Sequence, residues 1–366
     1  MSVVDDVAKQ SNDVSTDTYT ATWKELLGNF RDDELVIDPE YQRLFRWDLD
    51  QQTQYLESIL LNIPSPPLFL AQTEKAQLEV IDGLQRVSTL LKFFAAEVFQ
   101  RAEVETQSAD LDLEPNPDDN NIRIPTVLAA GPIVASLEGY NASTLPESLT
   151  RTIKQSRITI VLLEKKSTVK ARYEVFRRLN KFGSPLSDQE IRNCTARLLG
   201  KEFPTQLRAL ADIEFIKAAL SLSSEQQLRM GNEEMLLRLL AFNFSKADLK
   251  HKISEYLDDF MAYAAEGKFK LSPEVVARLE RAFLLISKAF PNGDAFRFPN
   301  GFSTNLFDVV ATGVFHNCDT LTQETLVEKH RRLMKSSELQ AVIGAGSNTR
   351  KKLTTRITLG KTWFQP

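Results

Sequence analysis

Apolar residues recur at helical spacing over Trp23, Leu26, Leu27 and Phe30, which predicts a first helix, and Leu35-Val36-Ile37 reads as a short strand after it. Asp48 with Gln51 three positions on is an N-cap and capping-box signal. The helix it opens turns Leu49, Leu56, Ile59, Leu60 and Ile63 toward a core, and Pro64, Pro66 and Pro67 end it. Leu68-Phe69-Leu70 and Leu78 to Ile81, separated by a polar turn near Thr73 to Gln77, predict a hairpin. Past Gly83, a stripe of Leu84, Val87, Leu90, Leu91, Phe94 and Val98 has the 3.6 period of a buried helix. Ile158-Thr159-Ile160-Val161-Leu162-Leu163 is continuous and β-branched, as a strand in a sheet interior should be. A helix bearing Val169, Tyr173, Phe176 and Leu179 follows and stops near Asn180, with Gly183 as the left-handed residue beyond it. Ser187 and Glu190 make a second capping box, and Gly200 ends the helix that it starts.

From about residue 201 the strand signal fades. Met235 to Phe242, Ile253 to Ala264 and Val275 to Phe290 read as amphipathic helices. The pattern predicts an α+β chain: a small mixed sheet with helices over residues 21–200, then an all-helical domain over 201–343. Residues 1–20 read as a mobile arm. Residues 102–123 read as an acidic insertion, with seven acids and no Lys or Arg from Ala102 to Ile122. Residues 344–366 read as a basic tail that carries Arg350, Lys351, Lys352, Arg356 and Lys361.

Composition narrows the class without naming it. A chain of 366 residues with 42% hydrophobic and 26% charged residues is an ordinary globular protein of about two domains. The net charge of −4 excludes a uniformly basic surface but allows a local basic patch. Cys194 and Cys318 are the only cysteines, too few for a disulfide framework or a thiolate zinc cluster. No apolar run is long enough to span a membrane and no signal pattern opens the chain, so a cytoplasmic protein is expected.

The candidate chemistry lies where the hairpin's second strand meets the buried helix, at Asp82-Gly83-Leu84-Gln85-Arg86. Free backbone N–H groups and the dipole make a helix start an anion site. Gly83 lets a ligand approach the backbone, Arg86 offers a planar fork to phosphate, and Asp82 is placed to hold a metal ion or orient a water. Arg86 and Thr89, three apart, share one helix face, and Ser88 lies beside them. The plainer reading is a tight strand-to-helix connection with Arg86 in solvent. Arg43 and Arg46 flank Leu44-Phe45 and can turn toward one pocket, with Trp47 beside them as core packing. Between Arg151 and Lys201 stand thirteen Lys/Arg against four acids. Lys165, Lys166, Arg177, Arg178 and Lys181 in that span suit a nucleic-acid or polyphosphate surface, or a solvated helix face.

Three blocks in this order, Ile37 to Trp47 with its Tyr41-Gln42-Arg43, the Asp82–Arg86 box, and Phe176 to Asn193, resemble the N-terminal domain of GmrSD-type restriction endonucleases. The resemblance covers roughly residues 20–200 and implies a fold like the ParB/sulfiredoxin group. It implies Arg43 as a pocket residue and Arg192 near the same cleft. ParB-like CTP-binding domains have an Asn followed by Leu and Glu at the spacing of Asn180, Leu186 and Glu190. This implies that Asn180 helps hold a metal-bound triphosphate and that Glu190 is a metal ligand. Leu179 stands where an acid usually precedes that Asn, and the capping box explains Glu190 without a ligand.

A Walker P-loop is absent, so a nucleotide site here is of another type. Many members of the family carry an HNH-type nuclease after this domain. Here His251, His316 and His330 are the only histidines, and His316 and His330 look like helix-surface residues. The expectation is therefore an NTP-binding, NTP-hydrolysing regulatory component of an anti-phage restriction system, using Mg²⁺ and gating a nuclease on a partner protein. Asp82, Gln85 and Arg86 would be its catalytic residues. Two rival readings stay open: a DNA-recognition module without catalysis, and a metal-dependent nuclease in its own right.

Overall fold

The computed structural model describes residues 3–4, 15–37, 45–73, 75–99, 122–165, 167–168, 175, 178, 187–245, 252–343 and 349–366. The chain divides into two compact units, Met1–Gly183 and Ser184–Pro366. The division falls before the helix opened by Ser187, which lies in the second unit.

The first unit runs β1 (Thr16–Thr22), α1 (Trp23–Arg31), β2 (Leu35–Val36), α2 (Leu49–Leu60), β3 (Leu68–Gln72), β4 (Leu78–Asp82), α3 (Leu84–Phe93), α4 (Ala95–Val98), α5 (Glu147–Gln155) and β5 (Arg157–Leu163). Its mixed sheet has the order β1-β5-β3-β4-β2. The expected hairpin is present as the antiparallel β3–β4 pair, with a register shift between Phe69 and Leu70. β5 pairs antiparallel with β1 and parallel with β3, so it is hydrogen-bonded on both edges, as its unbroken apolar run requires. Leu68, Leu70, Val80, Ile81, Ile158, Ile160 and Leu163 are buried.

Thr16–Thr22, which the sequence reading gave largely to a mobile arm, is the edge strand. Its residues are mostly exposed, so no apolar alternation marks it, and backbone pairing along Arg157–Leu163 holds it in place.

Helix α2 starts at the expected capping box, with the Asp48 side chain accepting from Gln51 N–H. Of the expected stripe it buries Leu56 and Ile59, with Leu49 and Leu60 half-buried, whereas Ile63 lies beyond its end and is 47% exposed; the rest of the buried face is Tyr55 and polar groups. Ala129 N–H donates to Thr53 Oγ1 (3.0 Å), Ile133 and Val134 N–H donate to Glu57 Oε1 (2.9 and 2.6 Å), and Thr126 Oγ1 donates to Gln52 Oε1 (3.2 Å). These polar side chains serve the backbone of an irregular segment that has no sheet or helix partner of its own.

The second unit runs α6 (Asp188–Leu199), α7 (Glu202–Ala211), α8 (Glu214–Leu220), α9 (Ser224–Leu228), α10 (Gly231–Phe244), α11 (Ile253–Ala265), α12 (Pro273–Ala289), β6 (Arg297–Phe298), β7 (Gly301–Phe302), α13 (Thr304–Asn317), α14 (Gln323–Leu333), α15 (Ser337–Ile343) and α16 (Arg350–Trp363). Apart from the two-residue hairpin β6–β7 its described residues form the helical domain expected. Leu236, Leu240, Phe283, Phe307, Val310 and Leu326 lie in its core. Asp308 of α13 is buried between two guanidiniums, accepting from Arg238 Nη2 of α10 (2.8 Å) and standing 3.2 Å from Arg356 Nη2 of α16.

The basic tail is thus a docked helix. At Gly360 a Cβ would meet the Val309 carbonyl oxygen at 2.3 Å, and at Gly313 one would meet Phe364 at 2.2 Å. Two glycines let the backbones of α13 and α16 touch, and Leu353 and Phe364 are buried beside them. His330 also differs from the surface residue expected: it is buried, with Nε2 2.9 Å from the Ala295 carbonyl oxygen. Among the described residues no helix is long and apolar enough to cross a membrane.

Candidate functional site

β4 ends at Asp82, the chain turns at Gly83, and α3 begins at Leu84. Gly83 has φ +98°, a left-handed conformation that L residues rarely adopt. Space forbids a side chain as well, since a Cβ would lie 2.2 Å from Leu68 Cδ2 and 3.0 Å from Arg86 Nη2. The turn therefore brings the start of the helix and its arginine against the beginning of β3.

Each polar residue of the box has a partner. Gln85 Oε1 accepts the backbone N–H groups of Arg46 (2.9 Å) and Trp47 (3.1 Å). Arg86 is 8% exposed and points inward. Its Nη1 donates to the Pro66 carbonyl and to Ser65 Oγ (3.3 Å), and its Nη2 donates to the Pro67 carbonyl (3.1 Å) and to Asp82 Oδ2 (3.4 Å). Tyr55 Oη stands 3.4 Å from the same Ser65 hydroxyl. The solvated Arg86 of the plainer reading does not occur.

Burial pulls the Arg86 guanidinium below its ordinary value, while Tyr55 and Asp82 act in the opposite direction. It stays charged in the accessible pH range because an arginine starts so high. The Asp82 side chain is 36% exposed, the more open partner of the pair. Burial also pushes the Tyr55 phenol up, against the Ser65 hydrogen bond and the Arg86 charge.

Helix α3 is buried on nearly every side, from Arg86 through Phe93. Thr89 Oγ1 donates back to the Gln85 carbonyl (2.8 Å). Ser88 is fully buried and its hydroxyl has no hydrogen-bond partner. Three residues after Gln85, it lies on Gln85's side of the helix. Orphaned buried hydroxyls are uncommon, and among the side chains of this helix Ser88 Oγ is the one buried without a partner.

The structure therefore brings together Asp82, Gly83, Gln85, Arg86 and the backbone at Arg46, with Ser88 and Thr89 one turn further along. Arg43 and Asn180, and Lys166, Arg177 and Lys181 of the basic segment, lie outside the described residues. Lys165 follows β5 and, like Arg178, is exposed.

Arg192 and Glu190 belong to the second unit. Arg192 is buried, with Nε donating to Asp258 (2.7 Å), Nη1 to Glu234 (3.3 Å) and Gln189 (3.2 Å), and Nη2 to Ser254 (2.9 Å). Glu190 Oε2 accepts from Ser187 N–H (2.6 Å), closing the capping box. Among the described residues no group of three His, Cys, Asp or Glu side chains is arranged to hold a metal ion.

The sequence reading missed Ser65, Pro66 and Pro67 as partners of Arg86. The proline run announced the end of a helix and a change of direction. It carried no sign that two freed carbonyls would face a guanidinium.

Fold and box together describe a mixed-sheet unit in which a hairpin runs through a left-handed glycine into a buried helix that begins with Gln and Arg. Residues 24–196 match the family described as the GmrSD restriction endonuclease, N-terminal domain. No curated protein matches the chain.

Proposed function

We propose that the Asp82–Arg86 box is the nucleotide site of an NTP-binding and NTP-hydrolysing regulatory component, acting in the cytoplasm to gate a nuclease carried by a partner protein. The observation that supports this reading best is the convergence at Gly83. One short box grips two separate loops, Arg46–Trp47 through Gln85 and Ser65–Pro67 through Arg86. A ligand that competes for either grip would move a loop.

The donors present suit a triphosphate with Mg²⁺. That ion is commonly held by one or two carboxylates and the phosphate oxygens, with water completing its shell. Asp82 would be the carboxylate, Ser88 would gain the partner that it lacks, and Arg43 and Asn180 would complete the enclosure. Arg86 would exchange the Pro66 and Pro67 carbonyls for phosphate oxygens, a stronger charge-assisted bond. Gln85 would hold the Arg46 loop over the site, and Asp82 would orient the attacking water as charge develops near Arg86.

The test is a titration of each of the four common NTPs, with and without Mg²⁺ and DNA, against the wild type and Asp82→Asn. Wild type is expected to bind at least one and release phosphate, and Asp82→Asn to lose Mg²⁺-dependent binding. Neither binding nor phosphate release with any of the four would end this proposal.

A further inference from the structure

The mixed sheet of the first unit has two edges, and they differ. β2 is two residues long with Leu35 buried, which leaves little for another strand to pair with. β1 runs for seven residues in unbroken register along β5, and among the described residues nothing pairs with its outer side. Proteins ordinarily guard such an edge with lysine, proline or a bulge. Thr16–Thr22 has none of the three, and Asp17 is its single charge.

The pairing with β5 fixes which backbone groups are left over. Trp23 N–H donates to the Ser156 carbonyl (3.1 Å) and Glu164 N–H donates to the Ser15 carbonyl (3.0 Å), at the two ends of one register. Hydrogen-bonded pairs alternate along an antiparallel ladder. Asp17, Tyr19 and Ala21 therefore turn their N–H and C=O groups to β5, while Thr16, Thr18 and Thr20 turn theirs outward. Thr18 N–H accordingly donates to no strand but to its neighbour's carboxylate, Asp17 Oδ1 (2.8 Å), in an exposed bond. Thr16, Thr18 and Thr20 are themselves exposed.

We propose that the outer edge of β1 pairs antiparallel with β1 of a second copy of this chain, about a twofold axis at Thr18, to form a weak homodimer. Centred there, Thr18 faces Thr18 of the second copy and Thr16 faces its Thr20. Each pair exchanges N–H and C=O groups in both directions, and these are the groups that β5 does not use. Asp17 then stands opposite Tyr19 of the second copy, so no like charges meet within the paired strands. A twofold at Asp17 would set two carboxylates face to face. One at Tyr19 would carry the ladder into Thr22, which is engaged as the N-cap of α1.

A foreign peptide is the poorer fit. Strand addition selects an unrelated segment through side-chain pockets beside the edge, and short exposed threonines offer none. A single strand pair falls short of the roughly 1,200–2,000 Å² that stable interfaces bury, so the dimer is a weak one. The inference rests on the sheet alone and not on nucleotide binding at Arg86.

The test is sedimentation velocity of the full chain over a series reaching high micromolar concentration. Wild type should pass reversibly from monomer to dimer. Thr18→Pro removes the central outward N–H and none that β5 uses, and should stay monomeric. Thr18→Lys sets two ammonium groups opposite each other and should do the same. Thr18→Cys should form a disulfide-linked dimer on mild oxidation, because opposed residues of a hydrogen-bonded pair have Cα atoms about 5.5 Å apart, within disulfide reach. Thr16→Cys faces Thr20 rather than itself and should cross-link no more than wild type, whereas Thr16→Cys with Thr20→Cys should cross-link.

A wild type that stays monomeric throughout overturns the proposal. So does a dimer that Thr18→Lys leaves intact, or equal cross-linking of Thr16→Cys and Thr18→Cys. Circular dichroism and urea midpoints check that each variant keeps its fold. If Thr18→Pro loosens β1 itself, Thr18→Lys and the cysteine variants decide.

Discussion

Arg86 and Asp82 meet at 3.4 Å across the left-handed Gly83, and the other donors of the same guanidinium close on the Pro66 and Pro67 carbonyls. A hydrogen bond to a charged group contributes about 1.5–3 kcal/mol, and leaving a buried partner unsatisfied costs more than a neutral exchange would. Arg86→Met should therefore destabilise the first unit by about 2–4 kcal/mol. Arg86→Lys should recover part of that loss, because one ammonium cannot reach both carbonyls with a planar fork. Urea midpoints of the two variants check this. Equal stability of Arg86→Met and wild type would remove the clamp.

Gly83→Ala should fail for two separable reasons. The φ of +98° strains any L side chain, and the new methyl would sit 2.2 Å from Leu68 Cδ2. Together these should cost about 2–4 kcal/mol. Leu68→Ala added to Gly83→Ala relieves the clash but not the backbone strain, so the double variant should lose less than the sum of the two single losses. A thermodynamic cycle over the four proteins measures that difference.

Asp308→Asn should be the most damaging single change in the second unit. It leaves the guanidiniums of Arg238 and Arg356 buried without their countercharge, a defect that costs about 3–5 kcal/mol. Hydrogen exchange should show α16 opening early in this variant. Gly360→Ala should produce the same opening by a steric route, since its methyl would press on the Val309 backbone.

Acid should weaken the second unit before it denatures the whole. Burial lowers the His330 pKa, against the Ala295 carbonyl and Asp294, and burial lowers that of His316 with help from Lys361 and Arg278. A histidine held below its unfolded value of about 6.5 leaves the unfolded state binding more protons. The stability that these groups permit is thus complete above that value and is lost as pH falls through the folded values. Urea midpoints of the wild type should fall between about pH 7 and pH 5. His330→Gln should remove part of that slope, with His316 keeping the remainder. An unchanged slope would show that His330 does not contribute.

Local pattern was enough to find the elements whose signals are short in range. The capping boxes at Asp48 and Ser187, the β3–β4 hairpin, the interior strand Arg157–Leu163 and the stripe on Leu84–Phe93 all follow from periodicity and from side chains reaching three residues along the chain. The five residues of the box could be singled out for the same reason, because turn and helix start are adjacent in sequence.

What pattern could not supply was partnership across distance. Thr16–Thr22 is a strand because Arg157–Leu163 lies beside it; its threonines recur at every second position, but the residues between them, Asp17, Tyr19 and Ala21, make no apolar face. Arg86 faces the carbonyls of Pro66 and Pro67, twenty and nineteen residues upstream, so its inward orientation had no local mark. The last basic stretch is a docked helix because Gly313 and Gly360 meet, and two glycines far apart in sequence reveal nothing until the backbones cross. Propensity and spacing act over one or two turns. Burial, ion pairing and the choice of face are settled by whatever the chain returns to pack there.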